Sequence, residues 1–231
     1  MFGTSYTGGV NTYRSASEIN TAMARVYNYM MMAILNSAVV SYLVSSSPEL
    51  MAVLFGTGLK WIILFAPLVA IFAISFFMDK VSKVGAQLML HGFAALMGLS
   101  LSTIFIVYTT SSIFMAFVSS AILFGVMSVY GYFTKKDLTS IGQFMIVGLI
   151  AIIIASIVNI FVGSSVLTTV ISALAIIIFL GLTAYDTQQI REMVSINRDI
   201  GNAEVSGALT LYMDFINIFI NLLQLFGDKK E

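Results

Sequence analysis

Apolar stretches of nearly bilayer length follow one another from about Val26 to Phe226, and they constrain the fold more than any other feature of this chain. A helix needs about 20 apolar residues to cross the hydrocarbon core, because each residue advances it by only about 1.5 Å. Seven segments meet that need: about Val26 to Val44, Lys60 to Met78, Val84 to Val107, Ile113 to Phe133, Ile141 to Val162, Val166 to Ile190 and Gly207 to Phe226. Between them lie SSSPE, DKVSK, YTTSS, TKKDLTS, GSS and the charged loop REMVSINRDIGNAE. Only 10% of the residues are charged, against about 25% in soluble domains, too few to cover a water-facing surface. The expected fold class is an all-α integral membrane protein: a polar tail over 1–24, a transmembrane domain over 25–227 and a short tail over 228–231.

Charge and residue types narrow the chemistry. The formal net charge is zero, so there is no basic field to attract nucleic acid. Without cysteine there is no thiolate nucleophile or thiolate metal site, and a single histidine, His91, builds no His cluster. No phosphate loop, Ser/His/Asp set or metalloprotease motif occurs, and an aspartyl protease of the membrane needs a GxGD motif that is absent. No enzymatic activity and no cofactor are expected. The polar first two dozen residues lack the apolar centre of a signal peptide, so the first segment is expected to act as its own insertion signal.

Lys and Arg set the expected orientation. Arg14, Arg25, Lys80, Lys83, Lys135, Lys136, Arg191 and Arg198 fall on one side of a seven-span arrangement, and Lys60, Lys229 and Lys230 on the other. The richer side is cytoplasmic by the positive-inside rule, which places the N-terminus inside. The seventh segment is polar enough that a re-entrant or interfacial element is the alternative to a span.

Two carboxylates stand out from this pattern. Asp186 lies in the sixth segment and Asp214 in the seventh, whereas the other nine acidic residues fall in tails, loops or segment ends. An Asp at the bilayer centre costs about 2.5–3.5 kcal/mol on insertion scales, so both should face the bundle interior or a watery cavity. Asp186 precedes Arg191 by roughly 7 Å of helix and Asp214 follows Gly207 by roughly 10 Å, which sets them at comparable depth. Gly207, Thr210, Asp214, Asn217, Asn221 and Gln224 recur at steps of three and four and share one helical face. Thr183, Asp186 and Gln189 make a shorter polar patch on the sixth segment. Paired carboxylates out of water resist carrying two charges and titrate as one unit near neutral pH. Such a pair suits proton sensing, or a hard cation held through oxygen, with calcium a natural candidate. The plainer alternative is that each Asp makes an interhelical hydrogen bond and holds the bundle together.

GLTAYDTQQI at 181–190 and LTLYMDFINIFINLL at 209–223 resemble the two signature segments of the Bax inhibitor-1 family. SLSTIFIVYT at 100–109 and YGYFTKKDLTSIG at 130–142 are similar to that family's third-to-fourth helix region and the cytoplasmic loop that follows. The resemblance covers nearly all of the chain beyond about Tyr27. It implies seven helices, with the last central between two three-helix layers, and a pH-sensitive calcium leak sensed by an aspartate pair that maps onto Asp186 and Asp214. Thr210, Asn217, Asn221, Gln224 and Thr183 are then the pore-lining candidates. Some members carry an arginine at the cytoplasmic end of the second helix that pairs with the first aspartate and latches the pore. Aligning on Met78 and Gly85 puts Asp79 at that position, which leaves either Lys80 or Lys83 as the possible latch or a protein without one.

Asn36 and Asn159 are expected to bridge helices, Gly98 and Ser102 to mark close helix packing, and His91 to be a hydrogen-bonded packing residue. Two functions remain open: a pH-sensitive cation leak channel or exchanger, or a non-transporting regulator that binds a membrane protease or another membrane protein. The expected partners are the lipid bilayer, calcium ions and protons, and the expected location is a bacterial inner membrane.

Overall fold

The computed structural model describes residues 14–196 and 201–230. It is helical throughout: α1 (Ala16–Ser45), α2 (Pro48–Phe55), α3 (Leu59–Phe77), a 3-10 turn (Met78–Lys80), α4 (Lys83–Leu101), α5 (Ile104–Val107), α6 (Thr110–Phe133), α7 (Thr139–Val162), α8 (Ser165–Ser195) and α9 (Gly201–Phe226). Seven of these, with α4 and α5 taken as one, are long and apolar enough to cross a membrane. The chain is an integral, multi-pass, all-α membrane protein.

Helix ends follow local chemistry. Ser15 and Glu18 form a reciprocal capping box at the start of α1, and Ser82, Thr109 and Ser164 each accept a backbone N–H at the starts of α4, α6 and α8. Gly163 stops α7 in the left-handed conformation, φ 66°, that glycine adopts without strain. Several helices outrun the expected segments, because caps and tertiary contacts rather than hydropathy set where a helix begins. The first starts at Ala16 instead of about Val26, and the last at Gly201 instead of about Gly207. The seventh segment is one continuous helix and not a re-entrant element. The stretch after SSSPE holds the short helix α2, which Ser47 as cap and Pro48 at its first position announce.

The core lies around α9, the most buried of the seven spans, which packs on α8, α6, α1 and α4. By contrast α7 buries little and leans on α8, while α3 packs chiefly on α4. Phe161, Ile160, Phe133 and Phe144 are exposed, as residues facing lipid tails should be. Small residues permit the closest approaches. A Cβ on Gly98 would lie 2.7 Å from the Ser37 carbonyl oxygen, so α4 meets α1 there as the small-residue spacing predicts. A Cβ on Gly131 would overlap the backbone of Ala184 and force α6 away from α8. Gly131→Ala is therefore expected to cost about 1–3 kcal/mol, read as a lower thermal midpoint in detergent while Gly125→Ala, in open space on the same helix, leaves it unchanged.

Polar groups inside the bundle find partners. Asn36 donates to the His91 carbonyl at 2.8 Å and joins α1 to α4, whereas Asn159 donates to Thr168 at 2.8 Å and closes the α7–α8 turn. Tyr212, fully buried, meets Ser37 at 2.6 Å, and Ser37 in turn meets the Ala94 carbonyl at 2.7 Å. Because Ser37 has one hydroxyl proton, which goes to the carbonyl in that arrangement, Tyr212 is the donor to Ser37. At the opposite end of the bundle from Arg25, residues 227–230 pair with the α5–α6 link through Thr109 N to the Asp228 carbonyl at 3.0 Å and Lys230 N to the Val107 carbonyl at 2.9 Å.

Candidate functional site

The helices α8 and α9 form the most extensive pairing in the bundle, and each contributes one aspartate to their contact. Asp186 on α8 is partly buried and Asp214 on α9 is buried, and their carboxyl groups are close enough to share a hydrogen bond. A hydrogen bond between two carboxyl groups requires a proton on one of them. Asp214 Oδ2 has no hydrogen-bond partner among the described residues. An unpaired buried oxygen next to a second carboxyl group leaves room for a proton or a cation.

Both aspartates open on a cavity of about 900 Å³, which also exposes Thr210, Asn217, Asn221 and Gln224. The polar stripe of α9 therefore lines one wall. Mostly apolar residues complete the others, with Ile71 and Ile74 beside Ser75 from α3 and Leu149 and Ile152 beside Ser156 from α7. Along this wall the amide groups of Asn217 and Asn221 donate to the carbonyls one turn back, Met213 and Asn217, at 2.8 Å each. Those bonds tie each amide nitrogen to the helix, and the side-chain oxygens make no hydrogen bond among the described residues. Gln224 Oε1 accepts from Ser172 at 2.9 Å near the far end. The cavity thus presents a run of oxygen atoms, those of two carboxyl groups and the rest neutral, the donor type that hard cations prefer. With so few carboxylates it suits brief coordination rather than tight retention.

Thr183 stands apart from this wall. It is fully buried, and its hydroxyl donates to the Phe179 carbonyl at 2.7 Å. The lysines also lie elsewhere. Lys83 Nζ is 3.3 Å from Glu204, and Lys80 Nζ rests 5.8 Å from the Phe77 ring, so neither pairs with Asp186. The side chain of Asp79, and Arg198 as a whole, lie outside the described residues.

The sequence reading missed a second charged centre. Glu204, assigned there to a loop, is 2% exposed in the first turn of α9. Arg25 of α1 holds it through Nε and Nη2, both at 2.8 Å, and Lys83 of α4 holds its other oxygen. Next to it, the Asn202 amide donates to the Met78 and Val81 carbonyls at 3.0 and 2.7 Å and fastens α9 to the α3–α4 turn. A signal was present in the sequence. Val205, Ala208, Leu209 and Tyr212 recur at helical spacing, all are buried, and they carry the helix pattern of α9 back past Gly207.

Comparison with known proteins gives a consistent picture. A family model described as "Inhibitor of apoptosis-promoting Bax1" matches residues 19–231. Inner membrane protein YbhL of Escherichia coli is 39% identical, over 92% of this chain and 93% of its own. An uncharacterized protein of Rickettsia prowazekii is 41% identical over 90% of both chains. An uncharacterized membrane protein of Streptococcus pyogenes is 35% identical over 90% of this chain and 93% of its own.

Proposed function

This chain belongs to the Bax inhibitor-1 family, and from that premise we propose that it is a pH-sensitive leak pathway for cations, calcium foremost, controlled by Asp186 and Asp214. The observation that carries this reading is the aspartate pair opening on a cavity whose wall continues as Asn217, Asn221 and Gln224 along the second half of α9. Protons and a divalent cation compete for the same carboxyl oxygens, so the occupancy of one regulates the other. The protein acts by transport and not as an enzyme, its basic end faces the cytoplasm, and its membrane is a bacterial inner membrane like that of YbhL.

The weakly packed wall fits a gate. Because α3 rests chiefly on α4, a shift of α3 changes the width of the cavity without breaking the packing around α9. The Asn202 bonds to the α3–α4 turn restrain that shift at the basic end.

Purified protein in liposomes loaded with a calcium-sensitive dye provides the test. Calcium entry is expected to exceed that of empty liposomes severalfold and to change with pH on the order of tenfold around neutrality. Flux equal to that of empty liposomes at every pH would overturn the transport reading and favour a regulator that works by binding a membrane protease or another membrane protein.

A further inference from the structure

A second cavity lies on the other side of the bundle and plays no part in the transport reading. Between α1 and α6 runs an apolar groove of about 740 Å³, within the range of about 300–1,000 Å³ that ligand sites occupy. Met30, Ile34 and Phe124 line it, with Phe215 of α9 beneath. Its rims, Met31 and Leu35 on one helix and Val129 and Phe133 on the other, are exposed to the lipid side. A groove of this kind in a membrane is filled by something apolar, because leaving it empty forfeits dispersion contacts along its whole length.

Charge at one end says what fills it. At the basic end Tyr132 donates to Asn20 across the mouth, and the Arg191 guanidinium lies 5.1 Å from the Tyr132 ring. Immediately beyond is a polar cavity of about 560 Å³ lined by Lys135, Lys136 and Arg191 together with Asp137 and Glu192, a net charge of one positive. The loop that carries the lysines is fixed in place. Gln188 of α8 accepts from Leu138 N at 2.9 Å and donates to the Lys136 carbonyl at 2.8 Å. Asp137 is already engaged, since the hydroxyl and backbone amide of Thr139 hold its carboxyl below the usual carboxylate range.

We infer that this groove is a binding site for one anionic glycerophospholipid of the leaflet at the basic end, with acyl chain between α1 and α6 and phosphate against Arg191, Lys135 and Lys136. An apolar groove that ends beside a three-cation pocket matches the two halves of such a lipid, and the single excess positive charge matches the single negative charge of its phosphodiester.

Native mass spectrometry of protein exchanged into phosphatidylglycerol or phosphatidylcholine with identical acyl chains tests the site. The wild type is expected to retain one phosphatidylglycerol, roughly tenfold in preference to phosphatidylcholine. Exchanging Arg191, Lys135 and Lys136 together for alanine should bring the two lipids to parity. Gly125 lines the groove and has open space where a side chain would start, so Gly125→Trp fills the groove and should lose both lipids while thermal stability is kept. Equal retention of the two lipids by the wild type, unchanged retention by Gly125→Trp, or a lipid-free dimer that occupies the groove would each overturn the proposal.

Discussion

Asp214→Asn in liposomes is expected to carry calcium at a rate that depends only weakly on pH, and Asp186→Asn is expected to do the same. On the proposed mechanism the two carboxyl groups share a site, so the charge on one fixes the cost of charging the other and the pair responds to pH as a unit. An asparagine keeps the shape and a hydrogen-bonding oxygen but removes one of the two ionisable groups. A pH response on the order of tenfold should fall to about twofold or less in each variant, a loss of roughly 1 kcal/mol of coupling. Thermal stability separates this from misfolding. An asparagine amide donates the hydrogen bond that a protonated carboxyl group would make, so both variants should melt close to the wild type. pH-dependent flux that survives in both variants would sink the sensor mechanism even if transport itself is real.

Calcium gives the same site a second readout with a fixed sign. On the transport reading the ion binds the deprotonated carboxylates, so raising calcium is expected to pull the pair toward deprotonation and move the midpoint of the pH response toward acid. If one proton leaves per ion bound, the shift approaches about one pH unit for each tenfold rise in calcium. Neither Asn variant should show it.

The sequence carried the parts of this architecture that depend on local signals. Apolar length set the seven spans, and the three-and-four spacing from Thr210 to Gln224 placed four of the five pore-lining candidates on the wall that the cavity exposes. Thr183 shows the limit of that reasoning. It shares helical spacing with Asp186, but three residues fall short of a full turn by roughly 60°, and that offset leaves Thr183 out of the cavity with its hydroxyl on its own helix backbone. Glu204 fell to a different limit. A carboxylate beside a charged loop reads as solvated, and what buries it is the arrival of Arg25 and Lys83 from helices 179 and 121 residues away. The groove between α1 and α6 was equally illegible, because a gap between two helices is a property of how they pack and leaves no mark on either helix alone.

Replacing Arg25 and Lys83 together by alanine is expected to be the most destabilising change in the bundle, at about 3–5 kcal/mol. Glu204 is 2% exposed, so the loss of both cations leaves its charge without water and without a partner. The reverse change is milder. Arg25 and Lys83 are 44% and 45% exposed at their side chains, so Glu204→Gln returns two cations to solvent at little cost and keeps a hydrogen bond to Arg25. Adding Glu204→Gln to the double variant should therefore recover most of the lost stability, since it removes the stranded charge. Thermal midpoints of the three proteins in detergent decide the matter. If the triple variant melts as low as the double, the cluster stabilises through the packing of the two long side chains instead of their charge. The same measurement bears on the gate. Glu204 lies two residues from Asn202, and a stranded charge that loosens the first turns of α9 also loosens the bonds to the Met78 and Val81 carbonyls that restrain α3. The double variant should accordingly leak more at every pH than the wild type while its response to pH, set by Asp186 and Asp214, is retained.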